Sequence, residues 1–84
     1  MFYVYAIYNR AKRKTYIGQT EDLERRLKEH NDPNCQRHLY TQRFGQGWNL
    51  IYSETTIDRK SALIREKQLK SYQGRQYIKQ FIPL

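Results

Sequence analysis

Residues 2–8 read FYVYAIY and residues 15–18 read TYIG, with the polar stretch NRAKRK between them. Aromatic and β-branched side chains suit a pleated, half-buried surface. The first run carries almost no polarity, which predicts a central strand buried on both faces. The stretch between holds Arg10, Lys12, Arg13 and Lys14 and reads as a turn, so the two runs form an antiparallel hairpin. Gly18 is expected to end the second strand at a point where a backbone can approach a ligand closely.

The hairpin needs a cover, and a helix follows it directly. Thr20 stands where it can cap that helix, with Glu21 and Asp22 placing negative charge in the first turn, where the helix dipole favours it. Leu23 and Leu27 share one face by helical spacing. Arg26 and His30 have the same spacing and are expected along the edge of the packed face, while Arg25, Lys28 and Glu29 point elsewhere. Asn31, Asp32 and Pro33 stop the helix. Residues 34–47 show little periodicity. Residues 36–43 read either as a short helix or as a loop rich in His38, Tyr40 and Arg43, with Gly45 and Gly47 as punctuation.

A third strand, WNLIYSET, covers residues 48–55, with Trp48, Leu50 and Tyr52 alternating. Asp58 caps a second long helix that is expected to run to about Tyr72 and to stop at Gly74. Ala62, Leu63, Leu69 and Tyr72 make its apolar face, and Ile64 falls off it. Tyr77, Ile78, Phe81 and Ile82 carry helical spacing and predict a short final helix or turn that closes the core before Pro83. The order is β-β-α, an ambiguous segment, then β-α-α. This is an α/β (α+β) fold, a small three-stranded and mainly antiparallel sheet flanked by helices.

Size and charge narrow the function. Residues 1–84 suffice for one domain with a thin core, so the eight tyrosines must supply part of that core. Sixteen Lys and Arg against eight Asp and Glu leave a net charge of +8, which favours polyanionic partners through counterion release. The single cysteine, Cys35, cannot form an intrachain disulfide, and with two histidines it makes no closed zinc site. The start lacks a basic signal-peptide region, and no apolar run reaches membrane-spanning length. The expected location is the cytoplasm, without a membrane partner.

Glu66 is the most informative single residue. It sits between Ala62 and Leu69 on the packed face of the second helix, where a carboxylate is costly unless it is paired or holds a metal. Both explanations stand: a salt bridge to an inward Arg or Lys, or a metal ligand. Tyr5 and Tyr16 lie in strands, where tyrosines commonly fill the core, and they also fit a site. His30 fits a helix end or a site, and Arg26 can pair with Asp22 one turn earlier.

Taken together these residues resemble one family. Tyr3-Val4-Tyr5, Tyr16-Ile17-Gly18, Arg26 with His30 one turn later, and Glu66 within REKQLKSY are similar to the GIY-YIG nucleases. The likeness is to the small single-domain branch related to the N-terminal catalytic domain of the UvrC excinuclease, and it extends over nearly the whole chain. It implies that Tyr5 serves as the tyrosine of the first motif and Tyr16 with Gly18 as the second. It likewise implies that Arg26 is the helix arginine, His30 the helical histidine and Glu66 the metal-binding glutamate. Tyr3 stands where the first motif has glycine, and Val4 where it has isoleucine. Many members carry an asparagine downstream of the glutamate, whereas no asparagine follows Asn49 here.

The resemblance implies a metal-dependent endonuclease that hydrolyses a DNA phosphodiester to a 5′-phosphate and a 3′-hydroxyl. One inward carboxylate suits one Mg²⁺ (or Mn²⁺) that keeps several waters and takes the phosphate as a further ligand. Arg26 can fork onto phosphate oxygens. Tyr5 can act as a base only if positive charge or metal lowers its pKa from the ordinary value near 10, with Tyr16 or His30 orienting water or relaying the proton. Arg10, Lys12, Arg13, Lys14, Gly18, Lys67 and Lys70 are the expected nucleic-acid surface. Branched or damaged DNA and a larger repair or recombination complex are the expected partners. Two other classes stay open: a weakly active or inactive nucleic-acid-binding module of the same fold, and a protein-interaction domain using exposed Tyr and Trp, which the +8 charge disfavours.

Overall fold

The apolar run at the start of the chain becomes β1 (Phe2–Asn9), and it lies in the middle of the sheet. It pairs antiparallel with β2 (Lys14–Thr20) on one side and with β3 (Trp48–Thr56) on the other. The computed structural model describes residues 1–35 and 40–83. Beyond the strands it contains α1 (Leu23–Asn31), a 3₁₀ turn over Tyr40–Phe44, α2 (Arg59–Lys70) and α3 (Tyr72–Lys79). The expected α+β fold and element order are therefore found, with residues 36–39 of the ambiguous segment lying outside the described residues.

Successive side chains of a strand point to opposite faces, and β1 serves two apolar layers in this way. Tyr5 and Ile7 are buried with Trp48 under α1, and Leu23, Leu27, Phe44 and Tyr16 pack against them. Val4 and Ala6 are buried on the other face with Ile17, Ala62, Leu69 and Ile78, beneath α2 and α3. A strand covered on both faces has no solvent side, which is why its sequence is continuously apolar. Burying a side chain such as Ile7 or Leu69 contributes about 1.5–3 kcal/mol.

Four local expectations give way to specific contacts. Gly18 does not end β2, which continues to Thr20 opposite Tyr3. The cap of α1 is Asp22 and not Thr20: Asp22 Oδ1 accepts from the Arg25 N–H at 3.1 Å, while Thr20 Oγ1 accepts from the Asp22 N–H and turns the chain out of the sheet. In β3 the register shifts between Ala6, which faces Tyr52, and Ile7, which faces Leu50. The extra residue, Ile51, forms a bulge, so Ile51 and Tyr52 both turn to the α2 layer while Trp48 stays on the α1 side. The expected alternation through Tyr52 is broken there.

The fourth difference concerns the two last helices. Ser71 ends α2 and starts α3: its N–H bonds Gln68 O at 3.2 Å, and its Oγ accepts from the Gly74 N–H at 3.2 Å. Gly74 is thus inside α3. A Cβ there would lie 2.3 Å from Gln68 O and 2.4 Å from Leu69 Cα, so only glycine lets the helices meet at this corner. The break turns Tyr72 out to 78 % exposure. Leu63 is 49 % exposed because α2 packs through Ala62 and Leu69. Ile64 is exposed as well, in keeping with its position off the packed face. Of Tyr77, Ile78, Phe81 and Ile82, Ile78 alone is fully buried. Tyr77 and Phe81 instead stack on Tyr52 at the surface, with ring centroids 5.0–5.7 Å apart.

Two asparagine side chains, buried Asn9 and half-buried Asn31, fix the segment before β3. Asn9 Oδ1 accepts from the Lys12 N–H across the hairpin turn, and its Nδ2 donates to Gln46 O at 3.1 Å. Asn31 Oδ1 accepts from the N–H groups of Gly47 and Trp48, and its Nδ2 donates to Trp48 O. These bonds tie the hairpin and the end of α1 to the start of β3. Among the described residues no helix is long and apolar enough to cross a membrane.

Candidate active site

The strand register determines which tyrosines can meet. Tyr5 faces Gly18 across the ladder, and Tyr16 lies two residues back on the same face of β2. A Cβ on Gly18 would lie 2.9 Å from both the Tyr5 hydroxyl oxygen and the Tyr16 ring. The close approach at Gly18 is therefore made by the two tyrosines themselves. His30, in the last turn of α1, points into the same space. Its ring centroid is 5.0 Å from that of Tyr16 and 5.8 Å from that of Tyr5.

Contrary to its expected place at the edge of α1, His30 is 1 % exposed. A buried imidazole needs partners for both nitrogens, and both are supplied. The Tyr5 hydroxyl is 2.7 Å from Nε2, and Thr41 Oγ1, from the 3₁₀ turn, bonds Nδ1. Thr41 is itself fully buried, and its carbonyl accepts from Trp48 Nε1–H at 3.1 Å. The phenol is the more acidic hydroxyl of the two, so it donates to Nε2 and Nδ1–H donates to Thr41.

The charges around this chain set its protonation. Burial and, after it, the charge of Arg26 lower the His30 pKa from 6.5 to about 4, so the imidazole is neutral at physiological pH. Burial also pushes the Tyr5 phenol well above its ordinary value. The neighbouring Tyr16 and the carboxylates of Glu66 and Glu29 raise it too, and Arg26 alone opposes them. The lowered Tyr5 pKa needed for a phenolate base is thus not supplied by the protein's own groups. The hydroxyl keeps its proton and shares it with a neutral imidazole.

Arg26, on α1, and Glu66, on α2, both act electrostatically on Tyr5. Arg26 pairs with Glu29 at 3.1 Å, not with Asp22, and Glu29 is folded in beside it instead of pointing away. The Arg26 Nε–H is not aligned on that oxygen, so the contact is an ion pair without a hydrogen bond. Glu66, on α2, has a side chain 21 % exposed and accepts a 2.8 Å bond from Lys70 Nζ. The salt bridge considered for Glu66 is therefore present, and its carboxylate also lies close enough to act on Tyr5.

These donors fit a Mg²⁺ or Mn²⁺ ion of a particular kind. Among the described residues no three His, Cys, Asp or Glu side chains cluster as a closed metal site. Glu66 offers one carboxylate, and Mg²⁺ is commonly held by one or two carboxylates with waters and substrate phosphates completing the shell.

The basic residues divide by position. Arg13, Lys14 and Lys70 line one open groove of about 500 Å³, with Tyr16 in its wall and Arg75 beside them. Arg13 holds a left-handed backbone, φ 53°, at the hairpin turn. Arg10 and Lys12 are exposed in the turn, and Lys67 is exposed on α2 outside the groove lining. Sequence reasoning missed Thr41 and Arg75. Nothing local marks Thr41, whereas Arg75 adds to the positive charge around Lys70 and could have been read as part of that face.

Two comparisons of the chain with known proteins, one with curated proteins and one with solved structures, found no match. A family model described as the GIY-YIG catalytic domain matches residues 1–79, a span that includes every side chain of the candidate site.

Proposed function

Since the chain belongs to the GIY-YIG family of nucleases, we propose that it is a metal-dependent endonuclease that hydrolyses DNA phosphodiesters at the Tyr5–His30 centre. The observation that carries this reading is the 2.7 Å bond from the Tyr5 hydroxyl to a neutral His30, within reach of the charges of Arg26 and Glu66. The strand follows the groove lined by Arg13, Lys14, Lys70 and Arg75 and meets the site at the edge strand β2. Gly18 presents no side chain there. Arg26 engages the phosphate oxygens, since an ion pair without an aligned hydrogen bond is readily exchanged for a forked one.

Tyr5 accepts the proton of the attacking water as it passes its own to His30 Nε2, so no free phenolate is needed. An engaged phosphodiester also offsets Arg26, the second cause of the low His30 pKa, and makes the imidazole a better acceptor when substrate is present. Thr41 holds the imidazole by Nδ1 throughout. Glu66 would hold Mg²⁺ or Mn²⁺, which when bound neutralises charge developing on the phosphate. The forms of the motifs, Tyr3-Val4-Tyr5 and REKQLKSY, support kinship with the small branch near the UvrC excinuclease, hence branched or damaged DNA as substrate and a cytoplasmic repair or recombination complex as its setting.

Nicking of supercoiled plasmid and cutting of branched DNA test this. Purified protein is incubated with Mg²⁺ or Mn²⁺, or with chelator, alongside Glu66→Ala and Tyr5→Phe. Metal-dependent nicking lost in both variants is expected, and nicking that survives Glu66→Ala would refute the assignment. A second reading, a binding module that does not cut, is favoured by the 1 % exposure of Tyr5. It predicts salt-sensitive DNA binding without nicking.

A further inference from the structure

Lys70 stands at the junction of two parts of the site. Its Nζ is 2.8 Å from Glu66 Oε2, and the same residue lines the basic groove with Arg13, Arg75 and Tyr16. An ion pair one helical turn long, with side chains 21 % and 43 % exposed, adds little to stability and exchanges readily. It nevertheless places an ammonium where a divalent cation would approach the carboxylate. Like charges repel strongly at such distances, and a lone carboxylate has no second ligand to offset the loss.

We propose that Lys70 couples the metal to the strand: it occupies Glu66 until a backbone phosphate in the groove draws it away, so that metal and nucleic acid bind cooperatively. This rests on the reading that Glu66 holds the metal. The lysine stem is flexible and its ammonium serves a carboxylate or a phosphate as a point charge, so one residue can act in both positions. Arg13 and Arg75 bring the phosphate to it. Because linkage is reciprocal, metal on Glu66 frees Lys70 for the strand to the same degree that the strand frees Glu66 for metal. Without DNA the site binds metal more weakly.

Mn²⁺ binding, followed by the EPR signal of the free ion, tests the coupling without measuring activity. The protein carries Tyr5→Phe so that DNA is not cut, and titrations run with and without a forked DNA duplex. Adding Lys70→Gln is expected to tighten Mn²⁺ by about five-fold in the absence of DNA and by less than about two-fold in its presence. Lys60→Gln removes the same charge from the first turn of the same helix, away from the groove, and is expected to change either affinity by less than about two-fold. An equal gain with and without DNA would reduce Lys70 to plain repulsion and overturn the proposal. So would no gain, or the same gain from Lys60→Gln. A Glu66→Ala variant with unchanged Mn²⁺ affinity would show instead that the metal is not on Glu66, which is a failure of the functional reading itself.

Discussion

Acid should act on this fold through His30. The imidazole is buried between Tyr5 and Thr41, and its pKa falls from 6.5 to about 4 on folding. The folded state therefore binds its proton less readily than the unfolded chain. The stability that neutral His30 confers is fully present above pH 6.5 and is lost as pH falls toward 4. A shift of this size makes the loss about 2 kcal/mol at pH 5 and about 3 kcal/mol by pH 4. For a chain of this length, 2 kcal/mol lowers Tm by roughly 10 °C. Carboxylates titrate in the same range, so the comparison is with His30→Gln, whose amide can still bond Tyr5 and Thr41 but has no proton to gain. Urea denaturation from pH 7 to pH 5 should cost the wild type about 2 kcal/mol more than the variant. Parallel pH dependence in the two proteins would refute the claim that a neutral, buried imidazole is held at this site.

Three further outcomes follow from the packing. Gly18→Ala puts a methyl group 2.9 Å from the Tyr5 oxygen and the Tyr16 ring, so it should displace the Tyr5 hydroxyl and cost about 1–3 kcal/mol, read by thermal unfolding and by plasmid nicking together. Gly74→Ala meets backbone atoms that cannot yield, and about 3 kcal/mol should be lost with α3 swinging off Leu69, detectable as faster amide exchange in residues 72–79. Arg65→Met removes a guanidinium whose Nε lies 2.9 and 3.0 Å from the two Glu54 oxygens and leaves that carboxylate against Tyr52, whose phenol pKa is pushed up to about 12. With both partners partly exposed, the cost should be about 1 kcal/mol by urea denaturation and should shrink in high salt.

What could be read from the chain itself was what depends on near neighbours. The continuous apolar run at β1, the charged turn and the leucine stripe of α1 are local patterns, and each produced the element it predicts. The fold class followed from their order. The misses depend on contacts distant in sequence. Asp22 rather than Thr20 caps α1 because Thr20 is already committed to the sheet opposite Tyr3. The bulge at Ile51 arises from pairing with β1, so no pattern within β3 announces it. Ser71 breaks the last two helices where Gly74 looked like the stop, because Gly74 is needed for a backbone contact with α2. Within the site, helical spacing put Arg26 and His30 on α1, but only the folded chain sets His30 against Thr41, eleven residues away. Helical spacing leaves Glu29 either outward or paired with a basic residue, and only the folded chain, where both side chains lie mostly covered, selects the pair with Arg26.

The central claim is that Tyr5 and His30 act as one proton path in cutting DNA. A double-mutant cycle on the single-turnover cleavage rate, with saturating metal and DNA, measures that directly. Tyr5→Phe and His30→Gln should each lower the rate by about 10²–10⁴-fold, and the double variant should be no slower than the slower single variant, as for residues that work as a unit. Losses that multiply, or cleavage that persists in Tyr5→Phe, would contradict the account.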